Sequence, residues 1–451
     1  MMNTQISGFR RHYTLFVLFL ISAVSLIDRQ VMGVVIEPIK AEFHVSDTQI
    51  GLLTGLAFAL VYCLFAIPLG RFADRGHRRN LIGWCCAFWS VMAMLCGFAS
   101  NFWTLALARI GVAVGESGSG AASMSMIADL YPPHQRSKAI SVFMLGAPIG
   151  ALLGMSLGAY IAYYHGWREA FIWMALPGIA AAVLLRFTAA EPLRGLWEKA
   201  REARPAVPHE SVMQVMRVAW ASKTFVRIAL AGALLAFASY AFSIWSTAFL
   251  VRSHGLTLKD AGIIMGLAAG PGAIIGSLSS GWLSAHLARR DSRWQLGVPI
   301  VGALLALLAL PMSIAFALYP AGHPWTLGAL QVPQATVFMF GMSVFGMWWM
   351  APSYTAIAQL VVPERRATMI ALYNFGIMAI GAGFGPLAVG VLSDHLTPLM
   401  GVNALRWSLV ICSGGYLLAS GLLFSVLRPY GIAAGLANVL PVLPAGKLRT
   451  A

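Results

Sequence analysis

Charge is what this chain has least of. Only 10% of its 451 residues are Asp, Glu, Lys or Arg, against about 25% in an ordinary soluble domain. A water-soluble fold is excluded, because there are too few charged side chains to cover its surface. Acids are the scarcest, 16 against 31 Lys and Arg. Cysteine is scarce as well: Cys63, Cys85, Cys86, Cys96 and Cys412 all fall in apolar stretches, with no His or acid at metal-ligand spacing. That excludes a disulfide framework and argues for packing residues. No Gly-x-x-x-x-Gly-Lys-Ser/Thr loop is present, so a pump driven through such a phosphate cradle is excluded. No Ser or Cys nucleophile has a His partner at matching depth, and the ten histidines sit in loops or at helix ends. An intramembrane hydrolase is therefore not expected. Neither is any other enzyme, nor a cofactor or metal site.

What the chain does have is long apolar runs. They lie near 13–36, 48–70, 80–99, 102–128, 138–163, 169–190, 224–251, 259–286, 296–318, 334–361, 367–392 and 405–427. Each holds enough residues to cross a hydrocarbon core roughly 30 Å thick at about 1.5 Å rise per residue. The first run is too long for a signal peptide and lacks a small-residue cleavage site, so it is expected to remain as a span. The expected fold is an all-α membrane protein with twelve transmembrane helices. The net charge of +15 suggests nucleic acid until the basic residues are placed. With the N-terminus inside, all but seven Lys and Arg fall in inward loops and termini; Lys40, Arg168, Arg252, Lys259 and Arg406 fall outside, and Arg29 and Arg109 lie within spans. This bias predicts both termini in the cytoplasm of a cell inner (plasma) membrane protein. The basic partner is the anionic bilayer surface, not nucleic acid.

The stretch 191–223 interrupts the apolar pattern with charges and prolines and divides the spans six and six. An internal repeat agrees with that division. "IGLLTGLA" at 50–57, followed by Gly70, Arg78 and Arg79, returns as "AGIIMGLA" at 261–268, followed by Gly281, Arg289 and Arg290. "IADLYPPHQRSKAI" at 127–140 returns as "IAQLVVPERRATMI" at 357–370, with Arg136 on Arg366. The expected organisation is an N-terminal six-helix bundle at 1–190, a cytoplasmic linker at 191–223, a C-terminal bundle at 224–427 and a cytoplasmic tail at 428–451. Two repeated halves with a path between them suit a transporter that rocks to alternate access.

The loop "GRFADRGHRRN" at 70–80 resembles the signature loop of the major facilitator superfamily, with Gly70, Asp74, Arg75, Arg78 and Arg79 in matching places and His77 where that signature has glycine. The resemblance implies a latch on the cytoplasmic side. A glycine permits close helix contact, and an acid at a helix end can meet an arginine or a helix N-terminus; Asp129 and Arg136 are the expected partners. In the second copy Ala285 replaces the acid, so only the first half should carry a full latch. "GAPIGALLG" at 146–154 resembles the Gly-Pro motif of many antiporters in the superfamily. It reads equally well as small-residue packing.

Four charges lie within spans: Asp28, Arg29, Arg109 and Glu116. Each is costly in lipid, so they should face the bundle interior. At about 1.5 Å per residue Asp28 and Arg109 are nearly level, while Glu116, seven residues after Arg109, shares its helical face about 10 Å deeper. "IDRQVMGVV" together with "ARIGVAVGESGSGAA" at 108–122 resembles the Spinster branch of the superfamily, which has an Asp-Arg step in its first helix and a Gly-Glu-Ala/Ser step in its fourth. The match covers most of the N-terminal half and is looser after residue 200. Glu116, among glycines, is the first candidate proton carrier with Asp28 beside it, and Arg109 is expected to oppose its protonation. Arg29 and Arg109 could take an anionic head group once released from carboxylates. Opposite them, "FASYAFSIWSTAFL" at 237–250 and "GMSVFGMWWMAPSY" at 341–354 offer Tyr240, Trp245, Trp348 and Tyr354 as an apolar wall.

The expectation is a proton-coupled secondary transporter, acting as a monomer, that moves an amphiphilic anion. The Spinster resemblance implies a lysophospholipid or sphingosine-phosphate type. The alternatives are a proton-driven multidrug or organic-anion antiporter, an uncoupled facilitator, or a non-transporting sensor.

Overall fold

The structure is a computed structural model that describes residues 7–195, 197, 212–318, 324–327, 330–361 and 363–439. The spans are α1 (Gly8–Val34), α2 (Asp47–Arg75), α3 (Arg78–Gly97), α4 (Phe102–Ser117, continued by Ser119–Leu130), α5 (Pro133–His165) and α6 (Trp167–Thr188). They continue with α7 (Lys223–His254), α8 (Leu258–Ala288), α9 (Trp294–Leu318), α10 (Ala335–Leu360), α11 (Pro363–Gly376, continued through Ile377–Ala382 to Met400) and α12 (Ala404–Val439). Among the described residues, nine stretches are long and apolar enough to span. The last of these holds both α11 and α12, which part at Gly401; α4, interrupted at Gly118, and α9 complete the expected twelve. Two short helices, Ile36–Phe43 and Val212–Ala221, and a hairpin of β1 (Trp325–Leu327) and β2 (Leu330–Val332) fill connections. Most of the linker, at 198–211, and the tail from 440 lie outside the described residues. The last helix runs twelve residues beyond its expected end at 427, through Pro429.

Local chemistry sets the ends. Ser46 and Gln49 form a capping box at the start of α2, and Asn101 and Thr104 form another at α4, each satisfying amide groups that a helix N-terminus leaves open. Gly166, with φ of 89°, separates α5 from α6, and Gly255, with φ of 62°, ends α7. Both take a backbone conformation that a side chain would penalise.

α1 to α6 pack chiefly on one another, as do α7 to α12. The two sets meet through three crossings: α5 on α8, α2 on α11 and α1 on α7. The sequence repeat explains the first two. Gly51 and Gly55 press on the backbone of Pro386 and Gly383, while Gly262 and Gly266, their repeat counterparts, press on Ala159, Met155 and Ser156. A side chain at any of the four would overlap atoms of the other set. The α5–α8 approach ends at Pro148 and Gly270. Beyond it the stretch Pro133–Met144 of α5 has α1 and α4 as its main neighbours, and Gly70 and Gly376 face open space. The molecule is closed at the end bearing residues 36–51 and open at the end bearing the 70–80 loop.

The glycines of "GAPIGALLG" have a packing reason. Gly146, Gly150, Gly154 and Gly158 form one face of α5 that lies directly on the α1 backbone from Phe19 to Val31.

Candidate functional site

α4 approaches α3 through its own glycine ladder. Gly111, Gly115 and Gly118 stand against Met92, Trp89 and Cys85, which brings Glu116 into the protein interior. There the four in-span charges gather, with Asp28, Arg109 and Glu116 all at 3% exposure or less. The pairing differs from the expected one. Arg29, not Arg109, holds Glu116, with its Nε donating to Oε2 at 2.5 Å. Arg109 donates to the backbone oxygen of Asp28 at 3.3 Å. The adjacent Asp28 and Arg29 point different ways, about 100° apart as helix periodicity requires.

Both guanidinium groups lie over the Phe58 ring of α2, Arg29 at 4.8 Å and Arg109 at 5.4 Å, and Arg29 also lies 5.3 Å from the Tyr62 ring. Stacking of this kind favours a cation where water is scarce. Four polar atoms stay without a hydrogen bond in this cluster: Asp28 Oδ2, Glu116 Oε1, Arg109 Nε and Trp89 Nε1. The Trp89 indole is turned toward Asp28 but makes no hydrogen bond there. Unsatisfied buried groups of this kind cost about 1–3 kcal/mol each. Arg29 keeps 17% of its side chain exposed while Glu116 keeps 1%. Sequence reasoning missed Phe58, Tyr62 and Trp89. The i, i+4 aromatic pair on α2 was the available signal for the first two.

The expected aromatic wall is half assembled. Tyr240 lies within electrostatic reach of Arg29 and of Tyr354, and the Tyr354 hydroxyl donates to Asn374 on α11. Trp245 does not join them. It is fully buried at the closed end with its indole donating to the Pro386 carbonyl at 3.0 Å. Trp348 is tied to Ser279 of α8 at 3.0 Å and sits over Gly302 of α9. Both bulky rings are consumed in packing between helices of one set.

The signature loop is organised around Arg78, which is buried and bonds Asp129, Glu191, Ser125 and the Pro192 carbonyl. Arg79 donates its amide to Glu191 at 2.6 Å. Arg136, the expected partner of Asp74, bonds instead to the Ala128 carbonyl at 2.7 Å. Asp74 and Arg75 are exposed and Gly70 touches no other helix.

At the closed end stands a cluster absent from the sequence-based site. Arg252 of α7 forms a two-pronged bond to Asp47, at 2.6 and 2.8 Å, and a third bond to Glu37 at 2.7 Å. Lys40 and Ser393 also reach Asp47. Asp394 of α11 accepts the amides of Asp47 and Thr48 at 3.0 and 2.8 Å, capping α2 from across the crossing. The signal was present: Lys40 and Arg252 are two of the five cations that defy the inside bias. All five are committed here, Arg168 to Glu42, Lys259 to Asp260 and Arg406 to the Ser253 carbonyl.

The Major Facilitator Superfamily profile matches residues 18–386. An MFS-type efflux pump of Mycolicibacterium smegmatis is 33% identical over 401 residues, covering 88% of this chain and 87% of that one. Protein spinster homolog 1 of Xenopus tropicalis is 27% identical over 432 residues, covering 90% and 80%. The sphingosine-1-phosphate transporter of Danio rerio is 25% identical over 433 residues, covering 89% and 82%. Among solved structures, a bacterial homolog of the human lysosomal transporter Spinster, inward-facing and unoccupied, superposes with a TM-score of 0.83 at 28% identity over 95% of this chain and 99% of that one. Its inward-facing, occupied form gives 0.77.

Proposed function

Because the chain belongs to the major facilitator superfamily, and is thus a multi-pass membrane transporter and not an enzyme, we propose that it is a proton-coupled carrier of an amphiphilic anion of the lysophospholipid or sphingosine-phosphate type. The observation that carries this reading is the Arg29–Glu116 pair, in which the cation is partly exposed and the carboxylate is buried. An anionic head group that takes Arg29 leaves Glu116 a buried charge without a partner. Such a charge costs several kcal/mol, and a proton removes it. Proton and anion therefore reinforce each other's binding, and the linkage is reciprocal. Asp28, with one free oxygen in the same cluster, is a second proton station, and Arg109 holds the α1 backbone beside it.

In this reading the bundles at 1–190 and 224–427 rock about the glycine crossings, and the linker at 191–223 stays in the cytoplasm. The positive-inside bias supports assigning the open end and both termini to the cytoplasm of the cell inner membrane, so the state is inward-facing. Phe58, Tyr62, Tyr240 and Tyr354 line the path, with Asp74 and Gly70 free until the cytoplasmic end closes. The carrier acts as a monomer.

A second reading, proton-driven export of drugs or organic anions, is favoured by the mycobacterial relative that carries the name of an efflux pump. One titration decides between them: tryptophan-fluorescence binding of lysophosphatidic acid, sphingosine phosphate and small organic anions to purified protein across pH 5 to 8. The lipid reading expects affinity for the amphiphiles to rise as the pH falls, and Glu116→Gln to bind tightly at every pH. Binding that ignores both pH and Glu116 leaves an uncoupled facilitator, and binding of small anions alone leaves the exporter.

A further inference from the structure

Arg252 at the closed end is held entirely by carboxylates of the opposite set. It lies on α7, while Asp47 and Glu37, which take all its bonds at 2.6 to 2.8 Å, lie on α2 and on the short helix before it. The Trp245 ring beneath it, 5.8 Å away, belongs to its own helix. In its own set the nearby acid is Asp394, whose two oxygens are occupied by the amides of Asp47 and Thr48. Lys40 shares Asp47 but stays with it, since both belong to α1 to α6. The cluster borders a pocket of about 440 Å³ lined by Glu37, Lys40, Asp47, Arg252, Ser393 and Asp394 among others. Parting the two sets here breaks every charged contact of Arg252 at once and widens a pocket that already exists.

We propose that Arg252 is a second anion-binding station, exposed when the closed end opens, that takes the phosphate or carboxylate of an amphiphile in exchange for Asp47 and Glu37. The guanidinium is already arranged for two-pronged recognition of a planar or tetrahedral oxyanion. A ligand shifts a two-state equilibrium only by its difference in affinity for the two states. An anion that binds Arg252 after opening, and cannot bind it before, has that difference built in. Asp394, once its amide partners leave, competes for the same cation. This inference rests on the transport reading for its biological sense, but not for its measurement.

The test uses the full chain in lipid nanodiscs with Ile39→Cys, a site buried at the closed end, and reads its rate of labelling by a polar maleimide. The probes are dodecyl phosphate and inorganic phosphate. Dodecyl phosphate is expected to raise the rate by at least about fivefold. Asp47→Asn raises the rate without ligand and keeps the response; Arg252→Gln raises the rate without ligand and abolishes the response; Asp394→Asn strengthens it. Arg252→Lys, the milder change, retains a weakened response and covers a failure of Arg252→Gln to fold. An Arg252-dependent response to inorganic phosphate supports the site as a head-group station. No response to dodecyl phosphate, or an equal response in Arg252→Gln and Asp47→Asn, overturns it. Amphiphile binding by the native chain that ignores pH and is unchanged in Glu116→Gln, with this response intact, defeats the central coupling site alone.

Discussion

Gly55 and Gly266 sit at matching places in the two repeats and do the same thing on opposite sides of the molecule. The first lies against the Gly383 carbonyl of α11, the second against Ser156 and Leu152 of α5. A Cβ at Gly55 would stand 2.4 Å from that carbonyl oxygen, and one at Gly266 2.2 Å from the Ser156 hydroxyl. The seal at the closed end is therefore a pair of close glycine approaches related by the repeat.

Enlarging either glycine should force the closed end apart. Gly266→Leu is expected to cost about 1–3 kcal/mol of overpacking, all of it in the closed arrangement and none once α5 and α8 separate. Labelling of Ile39→Cys should then speed up roughly tenfold. Gly341→Leu, at a site with nothing within 4 Å, is the control. Equal labelling in both would mean that the crossing does not set the equilibrium.

The two parts of the signature loop should respond differently. Arg78 is a buried hub joining α3 to Asp129 and Glu191; removing it leaves these partly buried carboxylates with only the amides of Gly195 and Arg79, at a cost of about 1–3 kcal/mol. Arg78→Gln should lower the thermal unfolding midpoint sharply. Asp74→Asn, at an exposed acid, should change stability by less than about 0.5 kcal/mol, and act instead on conformation by weakening closure of the open end. A large loss of stability in Asp74→Asn would show that the acid is already engaged in this state.

Glu42 gives a pH signature outside the spans. Its carboxylate accepts two bonds from Arg168 at 2.7 Å and one from the Trp167 indole at 2.8 Å. The hydrogen bonds from Arg168, and then that from Trp167, hold its pKa below the usual carboxylate value. A carboxyl lowered on folding adds stability that is whole above the unfolded-chain value of about 4.3 and vanishes as the pH falls through the lower folded value. The pair is more than a third exposed on both sides, so solvent screening keeps the effect below about 1 kcal/mol. Glu42→Gln should unfold slightly earlier than the native chain at pH 7 and together with it once the pH lies below the lowered carboxyl value. A difference that persists in acid would assign the effect to packing.

Much of this was written in the chain order. Apolar length fixed the spans because a hydrocarbon core admits only helices with their backbone groups satisfied within the segment. The repeat offset that joins Gly51 to Gly262 and Gly55 to Gly266 marked the two sets before any contact was known. The rarity of charge picked out Asp28, Arg29, Arg109 and Glu116, since a costly residue in a span is there for a reason, and the structure gathers all four.

Tertiary structure decided the partners. Arg29 and Arg109 are chemically alike and near each other in depth, and only the rotation of α1 against α4 gives Glu116 to Arg29 and leaves Arg109 a backbone oxygen. Whether Trp245 faces a cavity or a neighbouring helix depends on where α11 crosses α7, which periodicity along one helix does not contain. The cluster of Asp47, Arg252 and Asp394 joins residues more than 340 positions apart at its extremes. Sequence could mark Lys40 and Arg252 as cations on the wrong side of the bias. It could not supply their partners, because pairing is a property of distance in space and the chain specifies only which charges are there to be paired.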